Sequence, residues 1–201
     1  MQPDENDLFS DHLGVISQRW QAALAFAGFD AAIVTAGEPV NHFLDDQAPP
    51  LKLNPHFLQW CPSETAEGSA LLIEPGEQPR LFFLRPDDYW HQPPHIPLWA
   101  KDFEVLTFPD RESLLASIRQ TALRSGNHIA LIGNAGRDVL ADVPAEDVNP
   151  TLLLNPLHYG RAQKTEFELS AMLQATRTAV RGHMAARAAF EAGASEFQIN
   201  L

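Results

Sequence analysis

Few side chains in this sequence have the type and spacing that catalysis or metal binding requires. His91 and His95 are four residues apart, but Pro93 and Pro94 lie between them and prevent the shared helical face of a metal-binding pair. Cys61 is interpreted as a small buried residue rather than a nucleophile. The glycine-rich phosphate loops, the H-E-x-x-H and C-x-x-C metal motifs and the G-x-S-x-G nucleophile turn are all absent.

Two acidic residues and one aromatic cluster remain as candidates for binding a small polar ligand. Asp45 and Asp46 are adjacent, so in an extended segment they point to opposite sides and do not form a catalytic dyad by themselves. One alternative is that one of them projects into a site while the other caps a turn. Tyr89-Trp90-His91 forms either a bulky, partly polar loop surface or a loop under which Trp90 packs. His183 lies on the apolar stripe of a long helix, either as a ligand or as a core or inter-helix hydrogen-bonding residue. These residues do not make a complete catalytic set.

The composition describes an acidic globular protein with a net charge of −12 and 45% hydrophobic residues. Residues 160–201 carry five basic and four acidic side chains, so the negative charge lies on the preceding part. An acidic surface disfavours nucleic acid and anionic membranes as partners. The apolar runs are shorter than the about 20 residues that cross a bilayer, and the N-terminus is unlike a signal peptide. With a single cysteine, the sequence predicts a cytoplasmic protein.

The hydrophobic periodicity predicts an α/β fold in which helices alternate with short apolar strands. Helices are predicted over Asp11–Gly28, Arg111–Arg124, Glu166–Ala192 and, as a short one, Asp138–Ala141. Strands are predicted over Asp30–Thr35, Ser69–Ile73, Arg80–Leu84, Phe103–Thr107 and His128–Gly133, with a last short strand or turn over Thr151–Leu154. The Pro75-Gly76 turn predicts that the second and third strands form a hairpin. Twelve of the sixteen prolines lie between residues 39 and 109, which disfavours long helices there.

Residues 155–169, called the hinge segment below, separate two regions of different character. Thr165 and Glu168 have the T-x-x-E spacing of a capping box, which predicts that a helix begins there. The sequence therefore divides into a domain over residues 1–158 and a region over 159–201 that holds the hinge and the start of a second domain. Ser195 and Gln198 repeat the capping pattern just before the sequence ends.

Several separate motifs resemble the N-terminal part of bacterial Xaa-Pro dipeptidases, the prolidases of the creatinase/methionine aminopeptidase "pita-bread" metallopeptidases. The resemblance covers nearly the whole chain. It is carried by Phe43-Leu44-Asp45-Asp46, Lys52-Leu53-Asn54-Pro55-His56-Phe57 with Trp60, Arg85-Pro86-Asp87-Asp88-Tyr89-Trp90-His91, Leu157-His158-Tyr159, Arg161 to Leu169, Gly182-His183 and Gly193 to Phe197.

This resemblance implies a three-layer α/β domain with a mixed sheet, followed by the first long helix of an incomplete pita-bread catalytic domain. It also implies that the full-length enzyme uses two divalent metal ions, usually manganese, to hydrolyse the peptide bond before proline in Xaa-Pro dipeptides. The metal ligands are expected beyond residue 201, so this chain is expected to bind no metal, to contain no catalytic residue and to be inactive alone. We further expect the apolar stripe from Leu169 to Phe190 to be exposed.

The N-terminal part of such enzymes resembles a dimerisation arm that reaches the active-site mouth of the partner subunit. By this resemblance, Asp46 and Trp90 are expected to border the substrate pocket of the partner in a homodimer. Two alternatives remain at this point. One is a stand-alone, non-catalytic dimerisation or interaction domain, and the other is a relative of the same architecture that cleaves creatine instead of a dipeptide.

Overall fold

A computed structural model describes residues 5–63, 65–87, 89, 94–96, 98–125, 128–134 and 143–200. The helices are α1 (Glu5–Ala27), α2 (Pro55–Trp60), α3 (Arg111–Ser125), α4 (Thr151–Ala162), α5 (Glu166–Glu191) and α6 (Glu196–Asn200), and short 3₁₀ turns cover Leu98–Asp102 and Ala145–Asp147. The strands are β1 (Ala31–Thr35), β2 (Ala70–Ile73), β3 (Arg80–Leu84), β4 (Glu104–Phe108) and β5 (Ile129–Ile132). Within the described residues, no helix is both long and apolar enough to span a membrane.

The strands form one mixed sheet in the order β4-β3-β2-β1-β5. Strand β2 pairs antiparallel with both β1 and β3, whereas β1 with β5 and β3 with β4 are parallel pairs. The predicted hairpin between β2 and β3 is confirmed. Its turn has Gly76 at φ +82°, a conformation that glycine adopts without strain, and Glu77 N donates to the carbonyl of Glu74 at 3.2 Å.

Both faces of the sheet are covered, as expected for the middle layer of three. Helix α3 packs on one face, where Leu114 and Ile118 join a buried cluster with Ile33, Leu72 and Leu131. The residues that point to the other face are buried as well. They are Ala32, Val34, Leu71, Ile73, Leu81, Phe83, Ala130 and Ile132. Every residue of β1, β2 and β5 is therefore buried, which explains their continuous apolar runs and confirms the mixed-sheet α/β fold.

The chain divides into two compact units. One, Leu13–Ala162, contains the sheet with α2, α3, α4 and most of α1. The other joins Met1–His12 to Gln163–Leu201 and contains α5 and α6. The sheet-containing unit ends where α4 ends. The division into an α/β domain over 1–158 and the start of a catalytic domain over 159–201 stays a prediction.

The prediction of a strand or turn over Thr151–Leu154 was wrong, because these residues form the first turn of α4. The amides of Leu153 and Leu154 both donate to the carbonyl of Pro150, which starts the helix. A short leucine run has no periodicity that distinguishes a buried strand from a buried helix. The first half of the hinge segment therefore lies inside α4, with Pro156 in the helix.

Two other helices differ from the prediction. Helix α1 begins at Glu5 rather than at Asp11, and α2 was not predicted at all. The sequence signal for α2 is local and short. Asn54 is the N-cap, and Pro55 occupies the first helical position, where its missing N–H costs nothing. The helix predicted over Asp138–Ala141 lies outside the described residues.

Helix α5 begins as the hinge segment predicts. Thr165 Oγ1 accepts from Glu168 N at 3.3 Å, and Thr165 N donates to Glu168 Oε2 at 2.8 Å, which completes the capping box. The second box is also present, since Ser195 N donates to Gln198 Oε1 at 2.8 Å. None of the α5 side chains is buried, and Phe190 is 72% exposed, so the expected exposure of the apolar stripe is confirmed.

Candidate functional site

The candidate site lies on the segment that joins β1 to α2, residues 37–53, called the β1–α2 loop below. Its two ends are tied together, because Asn54 N donates to the carbonyl of Ala36 at 2.8 Å. Gly68 N donates to the carbonyl of Gly37, also at 2.8 Å, and this attaches the loop to the segment before β2. The loop is therefore anchored at its base even though most of its residues are exposed.

An ion pair adds a further anchor near the start of the loop. Arg111 Nε lies 2.8 Å from Glu38 Oε2, and its Nη2 lies 2.7 Å from Glu38 Oε1. This two-point geometry specifies orientation as well as charge. Because Arg111 is the first residue of α3, the ion pair connects the loop to the helix that covers one face of the sheet.

The tip of the loop is a tight turn over residues 42–47. His42 N donates to the carbonyl of Gln47 at 2.8 Å, and Asp45 N donates to the carbonyl of His42 at 3.0 Å. Leu44 has φ +57°, a conformation that is rare for a leucine and is maintained only where the surroundings impose it. The tip is thus an ordered structure.

The two acidic residues of the tip have different environments. Asp45 Oδ1 accepts from Gln47 N at 3.0 Å, so this carboxylate closes the turn from within. Asp46 is exposed, and no hydrogen bond or ion pair joins its carboxylate to the residues described by the structure. The geometry therefore matches the sequence-based alternative in which one aspartate caps a turn and the other projects away from it.

Two large apolar residues directly precede these aspartates in the sequence. Phe43 is 92% exposed and Leu44 is 91% exposed, although both are of the type that normally packs in a core. The loop tip thus presents an apolar edge next to the exposed Asp46 carboxylate. Such a combination suits contact with a surface that is partly apolar and carries a cation.

Asn54 connects the end of the loop to the sheet, and sequence reasoning did not single it out. Its Nδ2 donates to the carbonyl of Thr35, the last residue of β1, at 2.9 Å and to that of Ile132, the last residue of β5, at 3.3 Å. Its Oδ1 accepts from His56 N at 3.0 Å and so caps α2. The Asn54-Pro55 pair is a sequence signal for a helix cap. The carbonyls that accept from Asn54 Nδ2, however, are 19 and 78 residues away in the sequence.

The other sequence-predicted candidate, Trp90, lies outside the described residues, as does His91 of the metal-spacing pair. The neighbouring Tyr89 is 91% exposed. Arg85 Nε donates to the carbonyl of Pro94 at 3.2 Å, which brings together the two ends of the segment that contains Trp90. The role of Trp90 stays a prediction.

A buried histidine was also missed by sequence reasoning. His56 is 4% exposed, its ring stacks on that of His158 at 5.0 Å, and it meets the edge of Trp20 at 6.1 Å. Neither ring nitrogen has a hydrogen-bond partner among the described residues. Burial, then the positive charge of Arg161, then His158, lowers the pKa of His56 from 6.5 to about 4. The imidazole of His56 is therefore neutral at physiological pH.

Among the described residues, the remaining candidates are not in an environment that supports nucleophilic catalysis or metal binding. Cys61 is buried, as predicted, and burial raises the pKa of its thiol well above the usual value, so it is a poor nucleophile. His183 is exposed on α5, so among described residues it is not part of a core. Within the described part of the chain, no three His, Cys, Asp or Glu side chains are close enough together to hold a metal ion.

Comparison with known proteins identifies relatives over nearly the whole chain. Residues 7–159 match the family model described as Xaa-Pro dipeptidase, N-terminal domain. The chain is 38% identical over 196 residues to the Xaa-Pro dipeptidase of Enterobacter sp. (strain 638), and 40% identical over 197 residues to that of Glaesserella parasuis serovar 5 (strain SH0165). Each alignment covers 96% of this chain but 43% of the relative. The chain therefore spans less than half the length of the curated relatives it matches.

Proposed function

The chain belongs to the Xaa-Pro dipeptidase N-terminal domain family, and on that premise we propose that it is the N-terminal portion of a metal-dependent Xaa-Pro dipeptidase. The whole protein hydrolyses the peptide bond before a C-terminal proline in dipeptides, and it works in the cytoplasm. The observation that carries this proposal is the continuous similarity across 96% of the chain to proteins named Xaa-Pro dipeptidase. The fold agrees with it, because the family match covers the whole mixed sheet.

We assign the two divalent metal ions, expected to be manganese, to the part of the full-length protein beyond residue 201. The described residues of this chain do not fit a metal pair, since they contain no suitable cluster of His, Cys, Asp or Glu side chains. When bound, the metal pair supplies an activated water for attack on the peptide bond. The proposed contribution of this chain's residues is therefore to bind and orient the substrate.

The β1–α2 loop is proposed to act in trans, at the substrate pocket of the partner subunit in a homodimer. Its anchored base and ordered tip allow Asp46 to be presented at a defined position at low entropic cost. The Asp46 carboxylate accepts a charge-assisted hydrogen bond from the free α-ammonium group of the dipeptide. A peptide extended at its N-terminus has an amide in place of that ammonium group, so this contact favours substrates in which the residue before proline is the first.

Trp90 is proposed to cover the proline ring of the substrate and to exclude water from it. A tryptophan combines a large apolar surface with one hydrogen-bond donor, which suits the rim of a pocket. The connection between Arg85 and Pro94 would keep the ends of its segment together during binding. In this scheme Asp46 recognises one end of the dipeptide and Trp90 recognises the other.

The experiment compares two neighbouring substitutions in the full-length protein, with manganese and Gly-Pro as substrate. Asp46→Asn removes the charge that meets the ammonium group, and we expect KM to rise about tenfold while kcat changes little. Asp45→Asn is the matched control, because its amide oxygen still accepts from Gln47 N and closes the turn. Equal KM values for Asp46→Asn and the unmodified protein would count against the proposed role of Asp46.

The assignment of the metal ions to the part beyond residue 201 is tested with the 201-residue chain. We expect this chain to hydrolyse no Gly-Pro with or without manganese, because we assign the metal ligands to the part of the full-length protein beyond residue 201. We also expect the full-length protein to be dimeric by light scattering. Metal-dependent hydrolysis by the purified 201-residue chain would contradict the assignment of the metal pair to the part beyond residue 201.

A further inference from the structure

Asn54 uses all its hydrogen-bonding groups at the junction of the β1–α2 loop with the sheet. Its backbone amide donates to the carbonyl of Ala36, and its carbonyl accepts from Leu58 N in the first turn of α2. Its side-chain oxygen accepts from His56 N, and its side-chain nitrogen donates to the carbonyls of Thr35 and Ile132. One residue thus holds the helix, both ends of the loop and two strands.

The two carbonyls to which Asn54 Nδ2 donates lie at the ends of neighbouring strands. Thr35 and Ile132 end the parallel neighbours β1 and β5, and the pair is reinforced because Thr35 Oγ1 lies 3.5 Å from the Ile132 carbonyl. The ladder between the two strands ends here, and both carbonyls accept from a donor outside the sheet. Asn54 supplies that donor at the point where the loop leaves and rejoins the sheet.

We propose that Asn54 is the positioning residue of the β1–α2 loop and, through the loop, sets where the Asp46 carboxylate meets the substrate. This inference rests on the proposed function of Asp46. Asn54 itself is partly buried at the base of the loop, whereas Asp46 is exposed at its tip. Asn54 therefore acts on the substrate indirectly, by holding the β1–α2 loop, residues 37–53, in an ordered conformation.

The chemistry at this position requires an amide rather than a carboxylate. An aspartate would still accept from His56 N and cap α2, but it has no N–H for the carbonyls of Thr35 and Ile132. Its negative charge would face two carbonyl oxygens, which repel it. Asn54→Asp therefore keeps the helix cap and the backbone bonds of the loop but loses the side-chain hydrogen bonds to the two strand ends, so it separates the two functions of the side chain.

Hydrogen–deuterium exchange on the 201-residue chain tests the effect on the loop. We expect Asn54→Asp to accelerate exchange about tenfold or more across residues 37–53, because two hydrogen bonds are lost at the base. Asn149→Asp is the matched control. Asn149 donates from Nδ2 to the Gly133 carbonyl, also after the end of β5, without touching the loop. It should leave exchange of the loop unchanged.

A second variant keeps the test decisive if the aspartate variant does not fold. Asn54→Ser introduces no charge and retains a hydroxyl that caps α2, but its shorter side chain does not reach both carbonyls. We expect the same acceleration across residues 37–53 with normal exchange in β5. Unchanged exchange of the loop in either folded variant would overturn the positioning role.

Kinetics of the full-length protein then connect the loop to the substrate. With Gly-Pro, Asn54→Asp is expected to raise KM severalfold at nearly constant kcat, as Asp46→Asn does. If Asp46→Asn raises KM and Asn54→Asp does not, the positioning role is overturned and the proposed function stands. If exchange accelerates but neither variant raises KM, the role of Asp46 is overturned, while Asn54 remains the residue that orders the loop.

Discussion

The Asp147 carboxylate accepts a hydrogen bond from Nε2 of His128 at 3.0 Å, at the start of the edge strand β5. On the other side of the ring, Nδ1 lies 2.9 Å from the carbonyl of Gly28. Both partners are acceptors, so both nitrogens carry hydrogen and the geometry selects the imidazolium form. The ring also packs on Phe29, with centroids 4.4 Å apart. His128 thus connects the turn after α1 to the 3₁₀ turn before α4.

This contact predicts a loss of stability at alkaline pH. The bond to the Gly28 carbonyl, and then Asp147, raise the pKa of His128 above 6.5 despite an opposing effect of burial. A raised folded-state pKa gives stability that is complete below pH 6.5 and is lost as pH rises through the folded value. We expect His128→Gln to be less stable than the unmodified chain at pH 6, and the difference to shrink by pH 9. Urea unfolding at both values measures it, and an equal difference would contradict the charged contact.

His56 predicts a pH dependence of the opposite sign. Its folded pKa of about 4 lies below 6.5, so its contribution is complete above pH 6.5 and is lost as pH falls toward 4. The charged groups around it, His158 and Arg161 on α4, are both of positive type and oppose its protonation. The linked loss is on the order of 3 kcal/mol between pH 6.5 and 4.

Comparison of the unmodified chain with His56→Phe isolates this contribution. Phenylalanine keeps an aromatic ring that can stack on His158 but does not titrate. We expect the free energy of unfolding to fall less steeply between pH 6.5 and 4 in the variant, with the curves converging or crossing toward acid. Parallel curves over this interval would show that His56 is not held neutral.

The start of α5 provides a prediction for local stability. Thr165 Oγ1 accepts from Glu168 N and also lies 2.8 Å from Nδ1 of His12. Thr165→Ala removes both contacts, so we expect it to destabilise the first turn of α5 by about 1 kcal/mol. Hydrogen exchange of the amides in that turn measures the loss. Thr178→Ala is the control, because its hydroxyl contacts only neighbours within the exposed helix, donating to the Gln174 carbonyl and accepting from Arg181 Nη2. Equal effects of the two substitutions would rule out a capping contribution.

The elements that could be predicted from the sequence are those whose causes are local. The hairpin of β2 and β3 follows from two apolar runs around Pro75-Gly76, and the start of α5 follows from a four-residue capping pattern. The prediction of a strand or turn over Thr151–Leu154 was wrong because a short apolar run lacks periodicity. That the sheet is mixed was expected only through the family resemblance, and the order of its strands was not predicted.

The candidate site was predictable in part for the same reason. Asp45 and Asp46 are close in sequence, so turn chemistry offered the alternative that one caps a turn and the other projects, without saying which. Asn54 was missed because its role depends on carbonyls of β1 and β5, which are distant in sequence. His56 was missed because its burial against Trp20 and His158 is a property of the packed helices. Long-range contacts, which no motif encodes, decide both cases.

Gly133 gives the last prediction, at the end of β5 beside Asn54. It has φ +141°, which side-chain-bearing residues rarely adopt, and a Cβ there would overlap Thr35 Oγ1 and lie 3.3 Å from Asn54 Nδ2. We expect Gly133→Ala to lower the free energy of unfolding by about 2 kcal/mol or more, through backbone strain and displacement of Thr35. Gly14→Ala is the matched control, since its position in α1 has open space and helical backbone, and it should stabilise by about 0.5–1 kcal/mol. Chemical denaturation of the two variants gives both values. A Gly133→Ala variant as stable as the unmodified chain would mean that the ends of β1 and β5 are packed less tightly than the contacts of Asn54 require.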